Sequence, residues 1–280
     1  MARSARSSGR RSRGRSARRS ARRGPSVLLI LGAAAAIAVL AGLVLLQRRT
    51  ESDMAIDAET LCPPAGPRAM VAILVDVTDP LAPAQAMKLR EYVRREVDRA
   101  ETGTEFSLGM VSDDPARLGA QVALCKPHSG REVTQLTQNV RLVEERYESR
   151  FLTPLNALFE QMIAASNAKH SPIMEALQAL VGGTPGFVTF DGPKQVIVVS
   201  DLLQHSDAMS FYRGEDWKSF IASPAAQRLS ESLGGAKVTL FLIPRPQGFK
   251  GDPAAVEDFW IRYFDHQGAG LPDVHRLGDL

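Results

Sequence analysis

The chain has 280 residues, 44% of them hydrophobic, so it is long enough to bury a core of its own. Its formal net charge of +3 hides an uneven distribution, because residues 1–50 carry 12 basic residues and no acidic one, which leaves 22 basic against 31 acidic residues in 51–280. The part of the chain that can fold is therefore acidic, which argues against nucleic acid binding there.

The first 24 residues contain ten Arg and almost nothing apolar, which predicts a disordered tail. Two roles are open for this tail. It can set membrane topology and rest on anionic lipid head groups, or it can be a cytoplasmic arm that binds nucleic acid. We favour the first.

Val27–Leu46 is a run of twenty uncharged, apolar residues, and a helix of this length matches the thickness of a bilayer core. We predict a transmembrane helix over 25–47. A buried helix of a soluble protein and a cleaved signal peptide are the alternatives. The run is longer than the apolar region of a typical signal peptide, and no convincing small-x-small cleavage site follows it. Ten Arg precede the run, so the positive-inside rule predicts a cytoplasmic N-terminus and places residues 51–280 outside.

A linker over 48–67 contains Pro63, Pro64 and Pro67 and leads to the predicted folded domain, 68–280. The chain has two cysteines, Cys62 in this linker and Cys125. A domain outside the cytoplasm favours a disulfide between them, and two unpaired thiols are the alternative.

Beyond the linker, short apolar runs typical of buried strands alternate with amphipathic helical patterns. The predicted elements, in chain order, are strand Met70–Val75, helix Pro83–Ala100, strands Glu105–Ser112 and Gln121–Cys125, a helical region over 132–165 interrupted by Pro154, helix Ser171–Val181, strand Gln195–Ser200, helical pieces within 217–233, strand Ala236–Ile243 and helix Pro253–His266. This alternation predicts an α/β fold with a doubly wound, mostly parallel sheet and helices on both faces.

Two of the apolar strands end on acids, at Asp76 and Asp201, so we expect them to be neighbours around a switch point of the sheet, where ligands bind in such folds. The oxygen-bearing residues predicted at this edge are Asp76, Thr78, Asp79, Ser171 and Asp201. Carboxylate and hydroxyl oxygens without His or Cys are typical of a site for Mg²⁺ or Mn²⁺. The alternative is structural: Asp76 and Thr78 cap the following helix, Ser171 caps the helix that begins at Pro172, and Asp201 belongs to a turn.

Three histidines, His128, His170 and His205, invite a catalytic interpretation. No Ser or Cys nucleophile motif accompanies them, and G-x-S-x-G is absent from the sequence. We expect surface histidines.

The residues DVTDP at Asp76, SPIMEAL at Ser171 and VIVVSDLLQHS around Asp201 resemble the metal-ion-dependent adhesion site of von Willebrand factor A domains, over about residues 68–268. The family's motif has a second Ser where this chain has Pro80, which offers no hydroxyl. The resemblance implies a binding module in which a carboxylate from a partner protein completes the coordination of a metal ion. It also implies a protein anchored in the bacterial inner membrane with its domain in the periplasm.

Two other functions are open. An α/β enzyme for phosphoryl transfer or hydrolysis could use Asp76 as nucleophile and Asp201 as Mg²⁺ ligand, but the haloacid dehalogenase pattern needs an acid where Thr78 stands. A structural scaffold with a vestigial metal site is the other, and Pro80 is the argument for it.

Overall fold

The computed structural model describes residues 27–53, 55–76, 81–135, 138–164, 170–243 and 249–277. The chain divides into two compact units, 1–49 and 50–280. Helix α1 (Val27–Asp53) begins in the first unit. Its segment Leu29–Arg49 has a mean hydropathy of 2.8 and is long and apolar enough to cross a membrane.

The second unit is built on one sheet. Its strands are β1 (Ala69–Val75), β2 (Thr104–Met110), β3 (Ala120–Cys125), β4 (Lys194–Ser200), β5 (Lys237–Leu242) and β6 (Asp273–Arg276). Their order is β3-β2-β1-β4-β5-β6, and every neighbouring pair is parallel except the antiparallel β2–β3 pair. The predicted doubly wound, mostly parallel sheet is confirmed, and β1 and β4 are neighbours at its switch point.

Helices flank the sheet. They are α2 (Pro83–Arg99), α3 (Val140–Arg146), α4 (Thr153–Ala164), α5 (Ile173–Gly183), α6 (Trp217–Ile221), α7 (Pro224–Arg228) and α8 (Pro253–His266). The break predicted at Pro154 is wrong, because α3 runs into α4 through the π-helical segment Tyr147–Leu152. There the Thr153 N–H donates to the Glu148 carbonyl, and this wider turn accommodates a proline that would clash in a regular α-helix.

The two faces of the sheet bury separate apolar clusters. On one face, Met70, Ala72 and Leu74 of β1 join the apolar residues of α5 and α8, including Trp260. On the other face, Val71, Ile73 and Val75 join those of α2 and α4. Burial on both faces explains why β1 and β4 are continuous apolar runs.

The predicted disulfide is confirmed: Cys62 is bonded to Cys125, with their Cα atoms 4.7 Å apart. Cys125 ends β3 and lies opposite Glu105 at the start of β2. The bond therefore attaches the segment before β1 to the edge hairpin of the sheet. The backbone of this segment joins the same edge, since the Cys125 N–H donates to the Thr60 carbonyl at 2.8 Å.

Glu105 is an acid with only 7% of its surface exposed, and burial raises its pKa above the ordinary value. A higher pKa in the folded chain means that its contribution to stability is greatest below the unfolded value of 4.5 and is lost as the pH rises through the folded value. We therefore expect Glu105→Gln to raise the thermal midpoint relative to wild type at about pH 7, and to raise it less, or lower it, at about pH 4. Thermal unfolding followed by circular dichroism at both pH values checks this, and a difference that does not change with pH would contradict it.

Candidate functional site

Asp76 lies directly after β1, at the carboxyl edge of the sheet, and only 2% of its surface is exposed. Its N–H donates to the Val199 carbonyl of β4 at 2.8 Å, which continues the sheet pairing and holds the residue between β1 and β4. The side chain does not cap α2: the N-cap of that helix is Ala82, whose N–H donates to Gln85 Oε1 at 2.8 Å. The capping alternative is thus excluded for Asp76.

Ser171 contacts Asp76 directly. Its hydroxyl donates to Asp76 Oδ2 at 2.9 Å, across 95 residues of sequence. The predicted N-cap role of Ser171 is wrong, because α5 begins at Ile173 with Pro172 as its N-cap. The Met174 N–H at the start of α5 is instead satisfied by Gln204 Oε1 at 2.9 Å.

Ser200, the last residue of β4, completes the cluster and was missed in the sequence analysis. Its hydroxyl donates to Asp76 Oδ2 at 2.7 Å and accepts from the Leu202 N–H at 2.8 Å. The signal in the sequence was a serine that ends an apolar run directly before Asp201. In the structure this serine is fully buried. The carboxylate thus accepts hydrogen bonds from two hydroxyls, which offset part of the cost of burying its charge.

The turn after this cluster has a strained backbone. Leu202 has φ of 63°, in the left-handed region that non-glycine residues rarely adopt. Its conformation is held from both sides, since its N–H bonds to Ser200 and its carbonyl accepts from Trp260 Nε1 at 2.8 Å. Strain of this kind persists where the surroundings enforce it, and it is frequent at functional sites.

The remaining predicted ligands are placed as follows. Asp201 follows Ser200, is 9% exposed, and accepts the Leu203 N–H on Oδ1 at 2.8 Å, so one of its oxygens makes the turn contact that the structural alternative expected. Thr78 and Asp79 lie outside the described residues, as does Pro80. The structure thus joins Asp76 and Ser171, adds Ser200 to them, and places Asp201 next in sequence.

Two of the histidines lie beside Ser171. The His205 N–H and carbonyl exchange hydrogen bonds of 2.9 Å with Ser171, and the His205 ring bonds to Ser210 through Nδ1 at 2.8 Å. The His170 side chain is 57% exposed, and its ring centroid lies 5.1 Å from that of His205, with the two rings tilted. The backbone N–H of His170 donates to the Asp113 carboxylate. Burial, helped by His170 and Arg213, lowers the pKa of His205 below its ordinary value.

A surface position, as predicted, therefore holds for His170, whereas His205 and His128 are half-buried. His205 is half-buried because its backbone forms an isolated β-bridge with Ser171 and its ring bonds to Ser210. Its role in the structure is to position Ser171 against the Asp76 carboxylate.

The donor atoms at Asp76 fit a hard divalent cation. The Ser171 hydroxyl and the Asp76 carboxylate are within hydrogen-bonding distance of each other, so oxygens of both can contact one ion. A serine hydroxyl that donates its proton keeps its lone pairs for a metal ion. The cluster offers oxygen atoms alone, the type of ligand that Mg²⁺ and Mn²⁺ prefer.

Comparison with known proteins gives distant structural likenesses only. No protein-family model matches the chain, and no curated protein matches it. Among solved structures, human COPII-coat protein Sec24c is 12% identical with a TM-score of 0.35, over 75% of this chain and 30% of that one. A von Willebrand factor type A protein from Catenulispora acidiphila is 15% identical with a TM-score of 0.31, over 72% of this chain and 43% of that one. This chain thus spans less than half of either protein, and at such scores neither likeness supports a conclusion about function.

Proposed function

We propose that this chain is a single-pass protein of the bacterial inner membrane. Its apolar helix α1 crosses the bilayer, the Arg-rich N-terminus lies in the cytoplasm, and residues 51–280 form a domain in the periplasm. Support comes from the hydropathy of Leu29–Arg49, from the ten Arg that precede it, and from the disulfide, which is typical of oxidising compartments.

We further propose that the domain is a protein-interaction module that binds a partner at the carboxyl edge of its sheet with the help of Mg²⁺. The observation that carries this proposal is the buried cluster in which Ser171 and Ser200 both donate to Asp76. It lies at the carboxyl ends of the neighbouring strands β1 and β4, which form the switch point of the sheet. In doubly wound sheets, ligands bind at this place.

Asp76 and Ser171 are the residues that would hold the ion, and Asp201, Thr78 and Asp79 are the further ligands that the sequence predicts. A bound cation would supply a coordination position that a carboxylate of the partner protein can complete. His205 holds Ser171 through two backbone hydrogen bonds, and the Asp113 carboxylate accepts the N–H of the preceding residue, His170. This chain's own part is therefore to present its oxygens in a fixed arrangement.

The proposal is tested by titrating Mg²⁺ and Mn²⁺ into the purified full-length protein in detergent micelles, with calorimetric detection. We expect saturable binding that is lost in Asp76→Asn, because the amide has the shape of the carboxylate without its charge. Asp216→Asn is the matched control, since Asp216 is an acid that caps α6 and Asn caps helices equally well.

Binding of proteins from a membrane extract is then compared in Mg²⁺ and in EDTA, with wild type and with Asp76→Asn. A partner retained only by wild type in Mg²⁺ supports the metal-dependent module. If metal neither binds up to about millimolar concentration nor raises partner binding, the metal-dependent mechanism is wrong.

A scaffold with a vestigial metal site is the second candidate. The observation that favours it is that the Asp76 carboxylate already accepts hydrogen bonds from two serine hydroxyls, so the protein offsets part of the cost of burying its charge without an ion. This candidate requires that Asp76→Asn leave partner binding intact, in the same comparison.

A further inference from the structure

A buried acid faces the disulfide. Glu105 of β2 is the register partner of Cys125 on β3, so both side chains stand on the same face of the sheet. Glu105 Oε2 lies 3.8 Å from Cys62 Sγ, and one carboxylate oxygen and the two sulfur atoms all lie within 4.8 Å of one another. A carboxyl group is therefore in contact with the reacting atoms of the disulfide.

Glu105 has no counter-ion to explain its burial. It is 7% exposed, its polar contact is the Ser107 hydroxyl at 3.4 Å, and no charged side chain among the described residues contributes to its pKa, which burial raises. Lys126, the next residue after Cys125, directs its ammonium to the carbonyls of Asp98 and Ala100 at the carboxyl end of α2. Besides the Ser107 hydroxyl, the two sulfur atoms are the neighbouring groups with which the carboxyl group can exchange a proton once the disulfide is open.

We propose that Glu105 is the acid–base residue for opening and closing the Cys62–Cys125 disulfide by thiol–disulfide exchange. Cys62 is the sulfur that an external thiol attacks, because its residue is 9% exposed whereas Cys125 is completely buried. A thiolate attacks the disulfide and the sulfur that leaves, here that of Cys125, must be protonated. A Glu105 carboxyl oxygen lies within 4.8 Å of that sulfur, so it is placed to assist the step.

The opening reaction balances as follows. The thiolate of an external thiol bonds to Cys62 Sγ, the Cys62–Cys125 bond breaks, and the Cys125 thiolate takes the proton of the Glu105 carboxyl group. A second external thiolate then attacks the external sulfur of the mixed disulfide and releases the Cys62 thiolate, which takes a proton from water. The products are two protein thiols and one external disulfide, so the two electrons come from the external thiols. In closure, the mixed disulfide is on Cys62, the Glu105 carboxylate takes the Cys125 proton, and the Cys125 thiolate displaces the external thiol.

The test measures the rate at which excess dithiothreitol opens the disulfide of the folded, oxidised full-length protein in detergent. Samples are quenched with acid, their thiols are alkylated, and the open fraction is read by mass spectrometry between about pH 5.5 and about pH 8.5, where a dithiol becomes increasingly ionised. The variants are Glu105→Gln, which keeps the shape but cannot give a proton, and Glu105→Asp, which keeps the acid. Glu101→Gln is the matched control, because Glu101 is an exposed acid four residues earlier.

We expect the disulfide of Glu105→Gln to open at least about tenfold more slowly than that of wild type near pH 6, which is less than the roughly hundredfold low end of general acid–base effects. The ratio of the wild-type opening rate to that of Glu105→Gln should fall toward one as the pH rises and the wild-type carboxyl group loses its proton. Glu105→Asp should recover part of the wild-type rate. A rate change that is the same at every pH, or a Gln variant within about twofold of wild type near pH 6, would show a structural role only and overturn the proposal. The Asp variant keeps this decision possible if the Gln variant does not fold.

Discussion

Replacing both cysteines in a Cys62→Ala/Cys125→Ala variant should lower the free energy of unfolding by about 4 kcal/mol, in the chain-entropy account of disulfides. The bond joins residues separated by 63 positions, so its loss releases a long loop in the unfolded chain. Alanine is chosen because it introduces no new hydrogen bond to the adjacent Glu105. Guanidinium-induced unfolding of the full-length protein in detergent, followed by tryptophan fluorescence, measures the change.

Wild type in excess reductant is the control for this variant, and it should unfold at the same denaturant concentration as the alanine variant. A variant that unfolds together with oxidised wild type would show that the segment around Cys62 is held by its other contacts. Those contacts are substantial, since Leu61 is buried in the same cluster as β1 and Thr60 bonds to Cys125 through the backbone.

Asp76→Ala should cost about 2 kcal/mol or more of stability in the absence of metal, since it leaves the buried hydroxyls of Ser171 and Ser200 without their acceptor. Asp76→Asn keeps an acceptor oxygen in the same volume and should recover part of the loss. Denaturant unfolding in EDTA measures both variants, so the result is independent of whether the site holds Mg²⁺.

Double-mutant cycles separate the cluster from a general effect of the substitution. Ser200→Ala in the Asp76→Ala background should cost less than Ser200→Ala in wild type, because the hydroxyl has already lost its acceptor. Val256→Ala on α8, at a buried position without contact to the cluster's hydrogen bonds, should be additive with Asp76→Ala. Additivity of Asp76→Ala with Ser200→Ala would contradict the cluster as an energetic unit.

These stability results and the metal titration answer different questions. The cluster of Asp76, Ser171 and Ser200 can stabilise the domain whether or not an ion binds there, because both serine hydroxyls donate to Asp76 within the protein. A functional metal site requires that Mg²⁺ binding and partner binding both depend on Asp76. A scaffold requires only that Asp76→Ala lower the free energy of unfolding.

Much of the architecture could be predicted from the sequence. Met70–Val75 and Gln195–Ser200 are buried on both faces, so their continuous apolar runs identify them as strands of a parallel sheet. The acid at the end of each strand indicated that the two are neighbours. Burial also explains the pattern of α8, whose buried residues Val256, Trp260, Tyr263 and Phe264 are spaced at the helical period.

The sixth strand could not be predicted, for a physical reason. Residues Asp273–Arg276 are all exposed at the edge of the sheet, so burial imposes no apolar alternation on them. Their strand state comes from backbone pairing with β5, which does not depend on side-chain type. The continuous helix through Pro154 has a similar cause, since a π-helical turn is a local adjustment that no residue pattern signals.

The sequence by itself determined the fold class, the membrane-length helix, the pairing of two cysteines and the edge of the sheet at which oxygen-bearing residues gather. Only the tertiary structure decided what each of those oxygens does. The sequence predicts that Ser171 caps a helix, because capping depends on neighbours a few residues away. In the structure its hydroxyl donates a hydrogen bond to Asp76, 95 residues earlier. Ser200 and Glu105 acquire their roles in the same way, from partners 124 and 43 residues distant, and such partners are set by the packing of the sheet and not by local pattern.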